Sequence, residues 1–224
     1  MVRPIDTYEL TNQGSQPDVL DKIIGLMDEH RRKNAFLTLA EMADLAETNT
    51  VFDPFSTLIA NDAVIGEGNT FFPGAVVQCD GGTCSIGSGN TFYPSTLVIA
   101  ANGGRIVIGD ECSLGPGGVQ IKANEPGSVL SVGNRARLLN GAEIVGASVI
   151  GDGAQVLGAI SARSVRLAGG DDFTGPDPDR RGAVLKGAGL ARGTRLEAGD
   201  VVNGLGDFAA ATVERQLAYH PRSK

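Results

Sequence analysis

Tryptophan is absent from this 224-residue sequence, tyrosine and cysteine occur three times each, and histidine only twice. An odd number of cysteines, Cys79, Cys84 and Cys112, argues against a disulfide framework and for a reduced compartment. Only Cys79 and Cys84 lie close enough in sequence to close a short loop, and a reducing compartment works against that bond. Nowhere do about 18 apolar residues run together, so no membrane-spanning helix is expected. The opening stretch MVRPIDTYELTNQGSQPD has no apolar core of signal-peptide length, which makes a cytoplasmic protein the expectation. Positive charge is also in short supply: 19 Lys and Arg stand against 26 Asp and Glu, a net charge of −7. Neutralising a phosphate backbone needs a surplus of basic residues on one face, so nucleic acid is excluded as a partner. What is left, 42% apolar and 20% charged, is the composition of a soluble globular chain rather than a disordered one.

Glycine is what the sequence has in excess, at 32 residues, and it is not scattered. IGEGNTFFP begins at Ile65 and returns as IGSGNTFYP at Ile86, 21 positions later. Counting aliphatic and aromatic residues in sixes gives Ile59, Ile65, Phe71 and Val77; Ile86, Phe92 and Val98; and Ile108 and Leu114. The beat resumes as Val132, Leu138, Ile144, Ile150, Val156 and Ala162, and again as Val184, Leu190, Leu196, Val202 and Phe208. Neither a helix, with period 3.6, nor an alternating strand, with period 2, writes such a pattern. A coil of three short sides does, if each side points one large residue inward. The residue after the aliphatic one is glycine at 66, 87, 109, 133 and 151, and three further on stand Asn69, Asn90, Cys112, Ala136, Ala154 and Ala188. Those are corner positions, where the backbone must turn sharply. Successive coils then stack as parallel strands about 4.8 Å apart.

IGEGNT, IGSGNT, IGDECS, VGNRAR and IGDGAQ resemble the hexapeptide repeat of left-handed parallel β-helix proteins, over residues 51–206. The resemblance implies a mainly β fold, a left-handed parallel β-helix of about seven triangular coils, assembled as a homotrimer. The activity it implies is most often acyl transfer from acyl-CoA or an acyl carrier protein.

Departures from six mark insertions near 78–85, 99–107, 121–131 and 163–183, carrying CDGG, ANGG, ANEPG and GGDDFTGPDPDRRG. Each excess falls after a coil's third side, so the four loops are expected to leave the prism at one edge as a comb, and function often sits on such loops. The longest resembles the external loop that in several hexapeptide acyltransferases reaches a neighbour's active site. Residues 1–50 read as an N-terminal helical cap. In it PDVLDKIIGLMDEHRRK sets Val19, Leu20, Ile23, Ile24 and Met27 on one face, and TLAEMADLAET starts with a Thr38-to-Glu41 capping box. Residues 207–224 read as a short C-terminal helix and tail, with Asp207 as cap. One outward position carries Val76, Leu97 and Val119 in three coils and then Glu143, Ser161 and Arg195, an apolar ladder that predicts a dry contact between subunits.

His30 and His220 both lie outside the coil and cannot supply the three-histidine zinc site of β-helix carbonic anhydrases, so that activity is not expected. LLNGAEIVGAS resembles the segment that carries the base of acyl-carrier-protein-dependent lipid A acyltransferases, in which the pattern is Ala-His-Ile-Ala-His. Here the positions hold Ala142, Glu143, Ile144, Val145 and Gly146, so the usual histidine is missing: either Glu143 is the base, with Asn140 beside it, or an amine acceptor needs little base help and positioning by the loops suffices. On the loops, Lys122, Asn124 and Glu125 form one polar group, and Asp171, Asp172, Arg180 and Arg181 another; the arginines suit the phosphates of CoA. The aspartate spacing matches no calcium loop, so no metal and no permanently bound cofactor are expected. Cys112, at a small-residue corner, is read as packing. The expected function is therefore transfer of an acetyl- or succinyl-type group from a CoA or carrier-protein thioester to a small amine or hydroxyl. The alternative is a non-catalytic scaffold or small-molecule binding protein.

Overall fold

A computed structural model of the protein describes residues 18–220; the first 17 residues of the cap and the last four of the tail lie outside the described residues. Among the described residues, two helices, α1 (Val19–Lys33) and α2 (Leu39–Leu45), precede twenty-two short strands. All but the last of these strands pair in parallel with their neighbours in the stack, three per turn, as a parallel β-helix. No described helix is long and apolar enough to cross a membrane.

Three inward columns build the core. The first face stacks Val51, Phe71, Phe92, Leu114, Leu138, Val156, Leu185 and Val202, which makes eight turns rather than the expected seven. The second stacks Ile59, Val77, Val98, Ile121, Ile144, Ala162 and Ala191. The third stacks Ile65, Ile86, Ile108, Val132, Ile150, Leu167 and Leu196. Apart from Val51 and Ile65 at the open end, these residues are buried, and each large aliphatic taken out of water contributes roughly 2–3 kcal/mol.

Asn69 and Asn90 are fully buried at the corner, and their amides close its hydrogen bonds. Asn69 Oδ1 accepts from the Asn90 backbone N–H at 2.9 Å, and Asn90 Oδ1 from that of Cys112 at 2.8 Å. Their Nδ2 groups donate to the carbonyls of Gly87 and Gly109, each at 2.9 Å. The glycine after each inward aliphatic serves a purpose other than the expected turn: a Cβ on Gly66 would sit 2.6 Å from the Gly87 carbonyl oxygen, so close stacking requires it. The left-handed turn falls two residues later.

Several registers differ from the sequence reading. After the long loop Leu185 and Ala191 point inward in place of Val184 and Leu190, because Ala183, rather than Ala188, takes the small corner position next to Ala154. The outward ladder is accordingly Leu58, Val76, Leu97, Gln120, Glu143, Ser161 and Leu190; Val119 is buried one residue earlier and Arg195 belongs to the third face. Three loops share an edge, with Asn102 N–H on the Asp80 carbonyl at 3.1 Å and Asn102 Nδ2 on that of Asn124 at 3.1 Å. The fourth does not join them: Leu167 first completes the third face, so residues 168–183 leave at the next corner and reach the first face.

Met42 of α2 plugs the first coil, fully buried, with Leu37 and Leu45 packed beside it. The Thr38–Glu41 capping box forms as expected. Arg31 is buried and donates to the carbonyls of Leu37, Pro54 and Thr57 at 2.9, 2.6 and 3.1 Å, which fastens α1 to the coil. The apolar stripe of α1 is covered only in part: Ile24 and Met27 are half-buried, while Val19, Leu20 and Ile23 are exposed. At the other end the expected helix is instead a 3-10 turn (Phe208–Ala210) capped by Asp207, a strand (Val213–Arg215) antiparallel to Asp200–Val202, and a second 3-10 turn (Gln216–Ala218). This strap pairs the edge that the last coil would otherwise leave open. All three cysteines are free buried thiols, and burial pushes Cys112 up to about 11, as packing rather than a nucleophile requires.

Candidate active site

The residues singled out from the sequence separate into groups on different faces. On the second face Lys122 Nζ lies 3.1 Å from Glu143, the Ser161 hydroxyl donates to Glu143 at 2.7 Å, and Arg163 Nε donates to Ser161 at 3.2 Å. The Ser161 hydroxyl, followed by Lys122, holds the Glu143 carboxyl below the usual range. Asn124 and Glu125 sit on the third loop of the comb, and Asn140 turns the corner between first and second faces, its N–H on the Pro116 carbonyl at 2.8 Å. Asp171, Asp172, Arg180 and Arg181 lie on the long loop, one corner away.

That loop is tied to itself before it is tied to the coil. Asp172 accepts from the Thr174 N–H and hydroxyl at 2.8 and 2.6 Å, which keeps its carboxyl low, and Arg181 Nε donates to the Gly175 carbonyl at 2.8 Å. Asp171 and Arg180 make a long pair at 3.9 Å, and Arg135 of the coil reaches Asp172 at 3.6 Å. The loop thereby sets Phe173 against the first face, where the Arg137 guanidinium lies 4.1 Å from the ring centroid. Arg137 also donates to Gln155 at 3.2 Å.

The C-terminal strap forms the opposite wall. Buried Gln216 donates to the Gly182 carbonyl at 2.8 Å, and Leu217 N–H to Asp179 at 3.0 Å, so the strap holds the loop as well as the coil. Its next residues place Tyr219 beside Lys186, whose ammonium is 4.3 Å from the ring centroid.

Between these walls the first face carries two adjoining cavities. The upper, about 240 Å³, is lined by Arg137, Gln155, Arg181, Lys186, Tyr219 and His220 among others. The lower, about 360 Å³, is lined by Glu111, Ser113, Arg135, Arg137, Asp172 and Phe173. Arg137 and Phe173 belong to both, so the two form one groove. In a chain of net charge −7, the upper half gathers three cations and an imidazole with no carboxylate in its lining. Arg137, Arg181 and Lys186 form no ion pair among the described residues. Cations held by rings and carbonyls, without a carboxylate of their own, are arranged to take an anion.

Of the residues expected from the sequence, the groove therefore contains Asp172 and Arg181. Glu143, Lys122, Asn124, Glu125 and Asn140 lie outside it, and Asp171 and Arg180 support the loop rather than line a cavity. Glu111, Arg135, Arg137, Phe173, Lys186, Tyr219 and His220 were not singled out for it. For Arg137 a signal existed: the outward column of the first face reads Thr70, Thr91, Ser113 and then Arg137, a sudden cation in a row of hydroxyls. For Tyr219 and His220 there was none, since only the strap's return brings them to the coil.

No protein-family model matches the chain, and no curated protein does. Among solved structures, a candidate acetyltransferase of Bacillus cereus is 17% identical, with 71% of this chain and 77% of that one covered and a TM-score of 0.27. PerB of Caulobacter crescentus, solved with CoA and GDP-perosamine, is 14% identical, with 84% and 67% covered and a TM-score of 0.22. Likeness at this level carries no argument about what the present groove binds. Repeat and coil together make this chain a parallel β-helix written in six-residue steps.

Proposed function

We propose that the protein is an acyltransferase that takes an acetyl- or succinyl-type group from a CoA or carrier-protein thioester to a small amine or hydroxyl, with the donor in the groove of the first face. The observation that carries this reading is the upper cavity, in which Arg137, Arg181 and Lys186 line one half of the groove without a carboxylate. The phosphates of a CoA-type donor supply the missing negative charge, and arginine forks suit them. In this reading the thioester carbonyl lies at Arg137, where the cavities meet, and that guanidinium is held ready by Phe173 and Gln155 to stabilise the oxyanion. His220, in the upper lining beside the donor, is the imidazole placed to accept the acceptor's proton. Glu143 keeps that role only if a neighbouring subunit brings its own groove to the second face. Leu58, Val76 and Leu97 form the apolar outward ladder there, and we propose a homotrimer through it, to be checked by sedimentation.

The test is titration with acetyl-CoA, succinyl-CoA and acyl carrier protein, followed by thiol release in the presence of candidate acceptors. Binding of a donor that weakens at least tenfold in Arg181→Ala is expected. Failure of every donor to bind sinks the reading. Donor binding without thiol release for any acceptor points instead to a binding protein.

A further inference from the structure

The lower cavity holds a second feature that the donor does not use. Two residues after the stacking glycine of each coil the backbone turns left-handed, at Gly68, Gly89, Glu111, Arg135 and Gly153, with φ of 69°, 69°, 57°, 53° and 65°. A side chain in that conformation is strained, and glycine is the residue that adopts it without penalty. The repeat writes glycine in three of these five coils, and the two exceptions are adjacent, oppositely charged, and both line the lower cavity. Ser95 makes a similar exchange at another corner, so the strain alone assigns nothing; what sets Glu111 and Arg135 apart is the cavity they share.

The two carboxylates in that cavity are not equivalent. Asp172 is engaged by Thr174 and Arg135. Glu111 has no side-chain hydrogen bond or ion pair among the described residues, although Arg135 and Arg137 line the same cavity. We infer that the lower cavity binds a primary amine, with its ammonium group on the Glu111 carboxylate. A space of about 360 Å³ admits a molecule the size of an amino sugar. That this amine is the acyl acceptor rests on the proposed transfer reaction; the amine site itself does not.

The column supplies its own control, because Glu111→Gly removes the carboxylate and installs the residue used in the coils below. Two isosteric pairs serve as probes, ethanolamine with ethylene glycol and glucosamine with glucose, each read by saturation-transfer NMR on the intact protein. The amine of at least one pair should bind about fivefold better than its alcohol, the size expected of an exposed charge pair. Glu111→Gly should abolish the preference without lowering the thermal midpoint, and Glu111→Gln should do the same if the glycine variant fails to fold. Equal binding within both pairs, no binding of either amine, or a preference that survives both substitutions overturns the inference. Acetyl-CoA titration runs in parallel. Amine preference without donor binding leaves the site standing and removes the acyltransferase reading, and the reverse outcome removes the amine site alone.

Discussion

Arg215→Ala should open the groove while leaving the coil folded. Arg215 Nη1 donates to the Ala198 carbonyl at 2.8 Å and to Asp200 at 2.7 Å, Nη2 donates to the Asp179 carbonyl at 3.0 Å, and Nε lies 3.5 Å from the Asp179 carboxylate. One side chain thus joins strap, coil and long loop. The arginine is half exposed but Asp200 is 16% exposed, so their pair belongs near the upper end of the surface range, about 1 kcal/mol. The two carbonyl bonds add about 0.5 kcal/mol each at this exposure, and the longer Asp179 contact adds little. Removing all of them costs about 2 kcal/mol, a factor of about 30 in the opening equilibrium of the strap. The loss is local, because Arg215 is exposed and its bonds run to Ala198, Asp200 and Asp179, none of them in the inward columns. Hydrogen exchange should therefore quicken about 30-fold across 213–220 and stay unchanged in the inward strands. Donor affinity should fall with it, since Tyr219 and His220 leave the wall of the upper cavity. Unchanged exchange across 213–220 would refute the energetic reasoning, and faster exchange with unchanged donor affinity would refute the strap as a wall of the site.

Other outcomes follow from the same geometry. Asn90→Ala leaves the Cys112 N–H and the Gly109 carbonyl without their side-chain partners inside the corner, so urea unfolding should show a loss of about 2–5 kcal/mol; a loss below about 1 kcal/mol would mean that water or repacking replaces the ladder. Glu111→Gly should gain about 1 kcal/mol by relieving the left-handed backbone, seen as a raised thermal midpoint. Glu143 is held below its ordinary value, so its contribution is present above that value and is lost as pH falls through the lowered one. The stability difference between the parent and Glu143→Gln should accordingly shrink in acid, and a difference independent of pH would mean that Ser161 and Lys122 do not hold the carboxylate. In the groove reading, Glu143→Gln leaves the rate of thiol release within about twofold of the parent.

The repeat was legible because it depends on contacts one coil apart. IGEGNT and IGSGNT place Ile65 on Ile86, Asn69 on Asn90 and Phe71 on Phe92, and the structure stacks the phenylalanines with centroids 4.8 Å apart. The pattern misled where two equally apolar residues compete for one inward position. Val184 and Leu185 are such a pair, and the choice between them was made by Ala183 packing into the corner, a contact that no periodicity records. The sense of the corner was half legible: the sequence marked Gly66 and Gly87 correctly as special, but their reason is the coil stacked above, not a turn. Glu111 and Arg135 were visible all along as the residues replacing glycine in IGDECS and VGNRAR.

The amino-acid sequence by itself determined that this chain is a three-sided coil, since six-residue spacing, corner asparagines and stacking glycines are local demands met by any coil upon the next. Tertiary structure alone decided where a ligand can sit. Leu167 sends the long loop to the first face, and the strap returns Tyr219 and His220 to the same face, about 50 residues away in sequence. A groove made by two segments meeting on a third leaves no period in the sequence, because nothing in its chemistry repeats.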